Sequence, residues 1–384
     1  MIRAGYSATI WDGARSGIGT YIAEQLDILE KKTEIELKIL TSCGESLASH
    51  QRPQSGATGH GIGKVAAPVR DILRHRAGLT KFARQHSLDL VHVPTIRRLP
   101  GKLPCASIVT VHDLGPIRMA GKYGALRDYY HRKLIPRWLE DATAFVTPSE
   151  ATKQDLVDLY QTEPGKITVV PNGIDHTTYH PGDPAESSAY IKEKFDIEDP
   201  FIVFVSRLEH PAKNHVRLVE AFESFKAATN LPHRLVFVGS DWHGAEAIHQ
   251  HAAKLVASGD LIITGYVEKE AMPHFLRAAE SVIYPSLFEG FGLPVIEAMA
   301  SGAPVACSRS SSLTEIAKGR ALLFDPESPD EMAAALETLA TDSTQREKLR
   351  QLGLDHAASF TWQRCVDETV SVWKQSIEKY HGRI

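Results

Sequence analysis

Two stretches of this 384-residue chain combine the residue types that handle phosphates and sugars. One is SLFEGFGLPVIEAMASGAPVACS, Ser286 to Ser308, which follows the apolar run SVIYP. Its glutamates, Glu289 and Glu297, stand on either side of a turn built from Gly290, Phe291, Gly292, Leu293 and Pro294. Proline suits the first turn of a helix, where its missing N–H costs no hydrogen bond. A strand, a glycine turn and a helix start leave free N–H groups and the positive end of a helix dipole facing an anion. Glu289 can accept hydrogen bonds from sugar hydroxyls. Glu297, one turn into the helix, can hold both hydroxyls of a ribose. A helix with acidic residues near its start for stability alone is the structural alternative.

The other stretch is VSRLEHPAKNHVRLVEAF, Val205 to Phe222, again between an apolar run and a helical pattern. Arg207 and Lys213 leave one loop and can converge on a diphosphate, supplying two positive charges to a departing nucleoside diphosphate without a metal. The D-x-D pair of metal-dependent alternatives is lacking. Two solvated basic residues in a loop are the plain alternative. In the N-terminal half, Gly17 and Gly19 open a helical pattern and make a close-approach loop. His112 follows a buried strand at the carboxyl end, where open α/β sheets hold ligands. Asp113 either orients His112 or caps the next turn. Ser149 lies either near the ligand cleft or at a helix cap.

These residues need a scaffold of strands and helices. Continuous β-branched runs predict buried parallel strands at Leu90–Pro94, Ile108–His112, Ala144–Pro148 and Ile167–Val170. A second series runs Phe201–Val205, Leu235–Val238, Leu261–Thr264, Val282–Tyr284, Pro304–Cys307 and Ala321–Phe324. Helical spacing of Ile18, Ile22, Leu26 and Leu29, and of Val366, Val370, Trp373 and Ile377, predicts an early and a final helix. The βα pattern occurs twice, so the fold class is α/β with two doubly wound domains. Breakers between Pro171 and Tyr190 place the boundary. The predicted domains are 1–178, 179–361 and a closing helix, 362–384, that crosses back to the first. Gln51 to Lys64 reads as a surface loop.

No apolar run reaches the roughly 18 residues of a membrane span, and the N-terminus lacks a signal-peptide pattern. Cys43, Cys105, Cys307 and Cys365 show no C-x-x-C spacing, which fits thiols in a reducing cytoplasm. Residues 1–180 carry 23 Lys and Arg against 18 Asp and Glu, and the remainder 20 against 29. A basic first half fits an anionic lipid surface or a phosphate-bearing acceptor, or is ordinary scatter of charge. In Lys122 to Glu140, basic residues including Arg132, Lys133 and Arg137 interleave with tyrosines and Trp138, a pattern that suits a membrane interface or a core helix. No G-x-G-x-x-G follows a strand, which disfavours a dinucleotide-dependent dehydrogenase.

Together the motifs resemble glycosyltransferase family 4, the retaining group with the GT-B fold of two facing Rossmann-like domains. The match rests on Arg207 and Lys213 and on Glu289 and Glu297 around FGLP. SGIGTY (Ser16 to Tyr21), TVHDL, TPSEATKQDL, VVPNGID, VFVGSDWHG and ITGYV follow in order, from Ser16 to about Trp373. The resemblance implies that the loop at Gly17 and Gly19 lies near the donor phosphate and the acceptor. It implies that a residue at His112 bonds the transferred sugar, and that backbone groups of Gly265, Tyr266 and Val267 hold the base. Asp241 opens the glycine loop, with Trp242 and His243 as departures that shape the base pocket. SSSLTE and EHPAKN also depart from the family pattern, at Thr314 and beside Lys213.

The implied reaction moves a hexose from a nucleotide sugar to a hydroxyl of a saccharide or polyprenyl-linked acceptor, retaining configuration, with closure of a cleft between the domains excluding water. The subgroup resembles bacterial polysaccharide and O-antigen mannosyl- and rhamnosyltransferases, which favours GDP-mannose over UDP-sugars. A nucleotide-sugar epimerase and an inactive sugar-nucleotide-binding module are the rival readings. No cofactor, metal or nucleic acid partner is expected. The expected location is cytoplasmic, on the inner membrane face where the basic segment binds anionic lipid.

Overall fold

The computed structural model describes residues 1–11, 16–41, 46–47, 67–119, 130–198 and 200–382. The Gly-rich stretch from Gln51, the first part of the basic segment from Lys122, and Cys43 lie outside them. The chain divides into two units, Met1–Gly173 with Trp362–Ile384, and Ile174–Thr361.

In the first unit, strands β1 (Ile2–Ser7), β2 (Ile35–Leu40), β3 (Ser46–Leu47), β4 (Leu90–Val93), β5 (Ala106–Thr110), β6 (Ala144–Thr147) and β7 (Ile167–Val169) form one sheet. Its order is β3-β2-β1-β4-β5-β6-β7, parallel except for the β2–β3 pair. Adjacent strand residues face opposite sides. Leu90, Ile108 and Val146 therefore pack with α1 (Gly17–Leu29) and the final helix. Val91 and Val93 pack on the other face with Leu79, Phe82 and Ala83 of α2 (Ala67–Gln85). Val109, Val111 and Phe145 on that face pack near α3 (Gly115–Arg118), α4 (Ile135–Leu139) and α5 (Glu150–Tyr160).

The second unit has strands β8 (Phe201–Val205), β9 (Arg234–Val238), β10 (Leu261–Ile263), β11 (Ser281–Tyr284), β12 (Val305–Ser308) and β13 (Leu322–Phe324). They form an all-parallel sheet ordered β10-β9-β8-β11-β12-β13. Helices α6 (Pro184–Phe195), α7 (His215–Thr229), α8 (Ala245–Ser258), α9 (Met272–Ala278), α10 (Leu293–Ala300), α11 (Ser311–Ala317), α12 (Pro329–Thr341) and α13 (Ser343–Ala357) complete it around one core.

The observed boundary lies a few residues before 178. Ile174 pairs with Thr361 and donates its N–H to Phe360 O at 3.1 Å, which ties the segment after Gly173 to the second unit. Ile174 and Tyr179 are part of that unit's core. The final helix, α14 (Trp362–Tyr380), places Trp362, Val366, Val370 and Trp373 in the first unit's core. Within the basic segment, Ile135 and Leu139 face the core and Trp138 packs beside them, with the Arg76 guanidinium 4.7 Å from its ring. Arg132, Lys133 and Arg137 are exposed.

Candidate active site

In the second unit the strand order reverses between β8 and β11, and ligands of open α/β sheets bind outside the carboxyl ends at such a point. The loops that leave these two strands bring Lys213 and Glu289 together. Lys213 Nζ donates to Glu289 Oε1 at 2.6 Å, with the side chains 18% and 14% exposed. The ammonium also lies 5.7 Å from the centroid of the buried Tyr284 ring, and the Tyr284 hydroxyl interacts with both partners. Burial pulls the Lys213 pKa down, but Glu289, Tyr284 and Glu209 outweigh it and hold the ammonium protonated above its ordinary range.

Both loops are fixed by hydrogen bonds that the motif reading did not include. Asn214 stands in the left-handed region at φ 63°, and its buried amide donates to Pro285 O at 3.1 Å and Pro326 O at 2.7 Å. The Glu289 N–H donates to Ser311 Oγ at 2.9 Å, and its carbonyl accepts from Ser311 Oγ at 2.8 Å and Ser312 Oγ at 2.9 Å. Ser310 Oγ donates to Ser286 O at 3.0 Å. The serine run therefore grips the Glu289 loop, whereas Glu315 is exposed.

Gly292 caps α10 at φ 100°, and a Cβ there would lie 2.6 Å from Leu313 Cδ2. Both the conformation and the space require glycine. Gly290 and Leu293 flank Phe291, which is buried with its ring 5.8 Å from that of Phe360. Glu297 is half-buried on α10, and its carboxylate has no hydrogen-bond partner among the described residues. Burial pushes it up to about 7, against the pull of Lys269.

The next loops along the same sheet edge carry the remaining residues of this half. The Arg207 side chain is 53% exposed, with its guanidinium 4.6 Å from the Trp242 ring centroid and 3.8 Å from Glu209 Oε2. Asp241 accepts from His249 Nε2 at 2.9 Å. Tyr266 is 71% exposed and its hydroxyl donates to Glu268 at 3.4 Å, while the Val267 side chain is buried in the core. Of this loop, the Tyr266 ring is open, while the Gly265 carbonyl accepts from Gly239 N at 3.0 Å. Among the described residues, no three His, Cys, Asp or Glu side chains come together as a metal ligand set.

In the first unit, Ser16 caps α1. Its Oγ accepts from Gly19 N at 3.1 Å and its carbonyl from Thr20 N at 2.9 Å, which leaves the N–H groups of Gly17 and Ile18 unpartnered among the described residues. A Cβ added at Gly17 would meet no atom of the described residues within 4 Å. His112 Nε2 donates to Pro94 O at 3.1 Å, which fixes the tautomer, and burial lowers its pKa to about 4. Asp113 accepts from Gly115 N at 2.9 Å and so caps the following turn. Ser149 is buried, and its Oγ accepts from Thr152 N at 3.1 Å as the cap of α5.

A buried chain of hydrogen bonds backs His112. Trp373 Nε1 donates to His92 Nδ1 at 3.3 Å, so His92 Nε2 carries the proton it donates to Thr110 Oγ1 at 2.8 Å. Tyr21 shares a hydrogen bond with Thr110 at 3.1 Å and sets its ring edge-on to His112, 4.7 Å between centroids. Tyr21 from SGIGTY and Thr110 from TVHDL thus meet. His92 and Trp373 carry no motif signal of their own.

Two doubly wound sheets in one chain are the architecture of the GT-B class of glycosyltransferases, and likeness to known proteins decides whether the chain belongs to it. Residues 188–355 match the family model described as Glycosyl transferases group 1, and residues 15–178 match that of Glycosyltransferase Family 4. The chain belongs to glycosyltransferase family 4 and is a glycosyltransferase. It is 27% identical over 371 residues to the O-antigen chain mannosyltransferase B of Escherichia coli, covering 94% of this chain and 96% of that protein. It is 30% identical over 403 residues to a D-inositol 3-phosphate glycosyltransferase of Nocardia farcinica, covering 96% and 87%. A solved sucrose-phosphate synthase from Thermosynechococcus elongatus shares the fold, with a TM-score of 0.79 at 19% identity over 98% and 99% of the two chains.

Proposed function

We propose that this glycosyltransferase moves mannose from GDP-mannose to a hydroxyl of a saccharide or lipid-linked saccharide, with retention of configuration and without a metal ion. The observation that carries the proposal is the Lys213–Glu289 pair at the strand-order reversal, beside the glycine-capped start of α10 and the unpartnered Glu297. A diphosphate seated at this edge meets the N–H groups of the Gly290–Gly292 turn and the charges of Arg207 and Lys213. Glu297 holds the ribose hydroxyls, Glu289 those of the sugar, and the loops with Asp241 and with Tyr266 and Val267 face the base. As the sugar–phosphate bond breaks, negative charge grows on the leaving oxygen, where Arg207 and Lys213 stabilise it most. That oxygen accepts the proton of the incoming hydroxyl on the same face. In the first unit, the groups proposed for substrate binding are the loop of Gly17 and Gly19 and His112, which Tyr21 braces. The mannosyltransferase likeness supports the choice of sugar.

A thermal-shift screen of GDP-mannose, UDP-glucose and UDP-N-acetylglucosamine tests the donor. A ligand at 100 times its dissociation constant adds about 2.7 kcal/mol of stability. GDP-mannose should give the largest shift, and a larger shift with a UDP-sugar overturns the donor assignment. Turnover should persist in EDTA, whereas strict dependence on a divalent ion contradicts the metal-free mechanism. The exposed Arg132, Lys133 and Arg137 further support loose attachment to anionic lipid, at about 1 kcal/mol per basic residue. Sedimentation with anionic vesicles at low salt, and release at high salt, tests this. Protein that stays in the supernatant at low salt contradicts it.

A further inference from the structure

The loop after β9 runs alongside the loop after β8 as an extension of the sheet. Leu208 N donates to Ser240 O, Trp242 N to Leu208 O, and His210 N to His243 O, at 2.9–3.0 Å. Two glycines permit the close approach. A Cβ at Gly239 would lie 2.0 Å from Ser206 O, and one at Gly244 would lie 3.0 Å from His210 O. This register sets the Trp242 indole, 55% exposed, under the Arg207 guanidinium. An exposed tryptophan without a partner would leave apolar surface in water, and an exposed arginine without one would sweep many rotamers.

The manner of contact matters. A guanidinium carries its five N–H donors in its own plane, so a carboxylate partner occupies the donors that a phosphate would use. Stacking on an aromatic face uses the flat side and leaves the in-plane donors available. Glu209 Oε2 forms an ion pair with the guanidinium at 3.8 Å, too long for a hydrogen bond, so it does not take up a donor. We propose that Trp242 is a positioning residue for donor recognition: it stacks on Arg207 and holds its donors in place for the diphosphate. This rests on the assignment of Arg207 to the diphosphate made above. Holding the side chain in advance removes part of the ordering cost of binding.

The test is a double-mutant cycle on the full-length protein, with GDP and UDP titrated calorimetrically into wild type, Trp242→Leu, Trp242→Phe, Arg207→Ala and the double variant Arg207→Ala/Trp242→Leu. Trp242→Leu should weaken the nucleotide that binds by about two- to fivefold. Trp242→Phe should restore most of that loss. In the Arg207→Ala background, Trp242→Leu should change nothing further, because the residue it positions is gone. An unchanged affinity in Trp242→Leu overturns the proposal. An equal loss with and without Arg207 also overturns it, and assigns the indole to the base instead. If Arg207→Ala leaves the affinity intact, or neither nucleotide binds wild type, the diphosphate assignment beneath it fails. Trp242 is exposed, so these variants should keep the wild-type thermal midpoint, which a parallel melt records.

Discussion

Glu297 is a carboxylate whose proton affinity sits near neutrality, and its proposed role needs the ionised form. Burial raises it to about 7, so it gains a proton as pH falls through that value and loses an acceptor for ribose hydroxyls. Affinity for the nucleoside diphosphate should therefore drop by about tenfold between pH 8 and pH 6, since a charge-assisted hydrogen bond contributes roughly 1.5–3 kcal/mol. Glu297→Gln should bind weakly throughout and show a flatter profile by calorimetry. A profile as steep as wild type in that variant removes Glu297 from the ribose. Lys213 makes a different demand, because the charge it faces grows only as the donor bond breaks. Lys213→Ala should lower kcat more than it weakens nucleotide binding. Equal losses would make Lys213 a binding group only. At this scale the residue types and glycine spacing that single out Lys213 and Glu289 are written locally, and the structure brings these two side chains together. Asn214, Ser311, Ser312 and Tyr284 were not readable in the same way. Their roles come from hydrogen bonds and packing across loops distant in the chain, which no local pattern encodes.

At the scale of elements, the strands buried on both faces announced themselves as apolar runs, and the whole second sheet was readable on that basis. β1 and β2 were not, although β1 sits where the first sheet reverses order. Its sequence, IRAGYS, opens on a half-exposed pair and contains Gly5, while IELKIL in β2 alternates because alternate residues are only partly buried near the sheet edge. The final helix was readable from its spacing, but its partners were not. Trp373 is fully buried among residues of the first sheet and α1, and it supplies the proton that fixes the His92 tautomer. Trp373→Ala should lower stability by about 3–5 kcal/mol, the usual range for a buried aromatic. Denaturant unfolding measures this, and a loss below about 1 kcal/mol would mean that α14 docks without it. Trp373→Phe fills most of the space but leaves His92 Nδ1 unpartnered, so it should cost a smaller, separate amount.

Across the whole molecule, three buried histidines and the half-buried His112 set an acid limit. Burial lowers His75 and His112 to about 4, and His92 and His215 to about 3. Unfolding returns each to about 6.5, where it takes up a proton that the folded form refuses. Their contribution is complete above pH 6.5 and is lost as pH falls toward the folded values, at about 1.4 kcal/mol per unit of depression. Glu297 acts with the opposite sign, because its raised pKa favours the folded state more as pH falls from 7 toward 4.5. Between pH 6.5 and pH 5 the four imidazoles outweigh Glu297 and leave the histidines dominant. Calorimetric melting should therefore move down steadily between pH 6.5 and pH 5, above the range of ordinary carboxylates. A flat midpoint across that window would contradict the neutral rings. Three of the four belong to the first unit, so its transition should move further.

The order of the chain adds a constraint of time. The second unit is one continuous segment, Ile174–Thr361, whereas the first is closed only by Trp362–Ile384. A ribosome that has released the N-terminal sheet has not yet made the helix that completes the cover of one of its faces. Val146, Ile108 and Leu90 must wait, with α1 alone on their side of the sheet, through the synthesis of the entire second unit. At about 5–20 residues per second this interval lasts on the order of ten seconds or more. The half of the protein made first is thus the half finished last, and chaperones in the cell would meet it with that face incompletely covered.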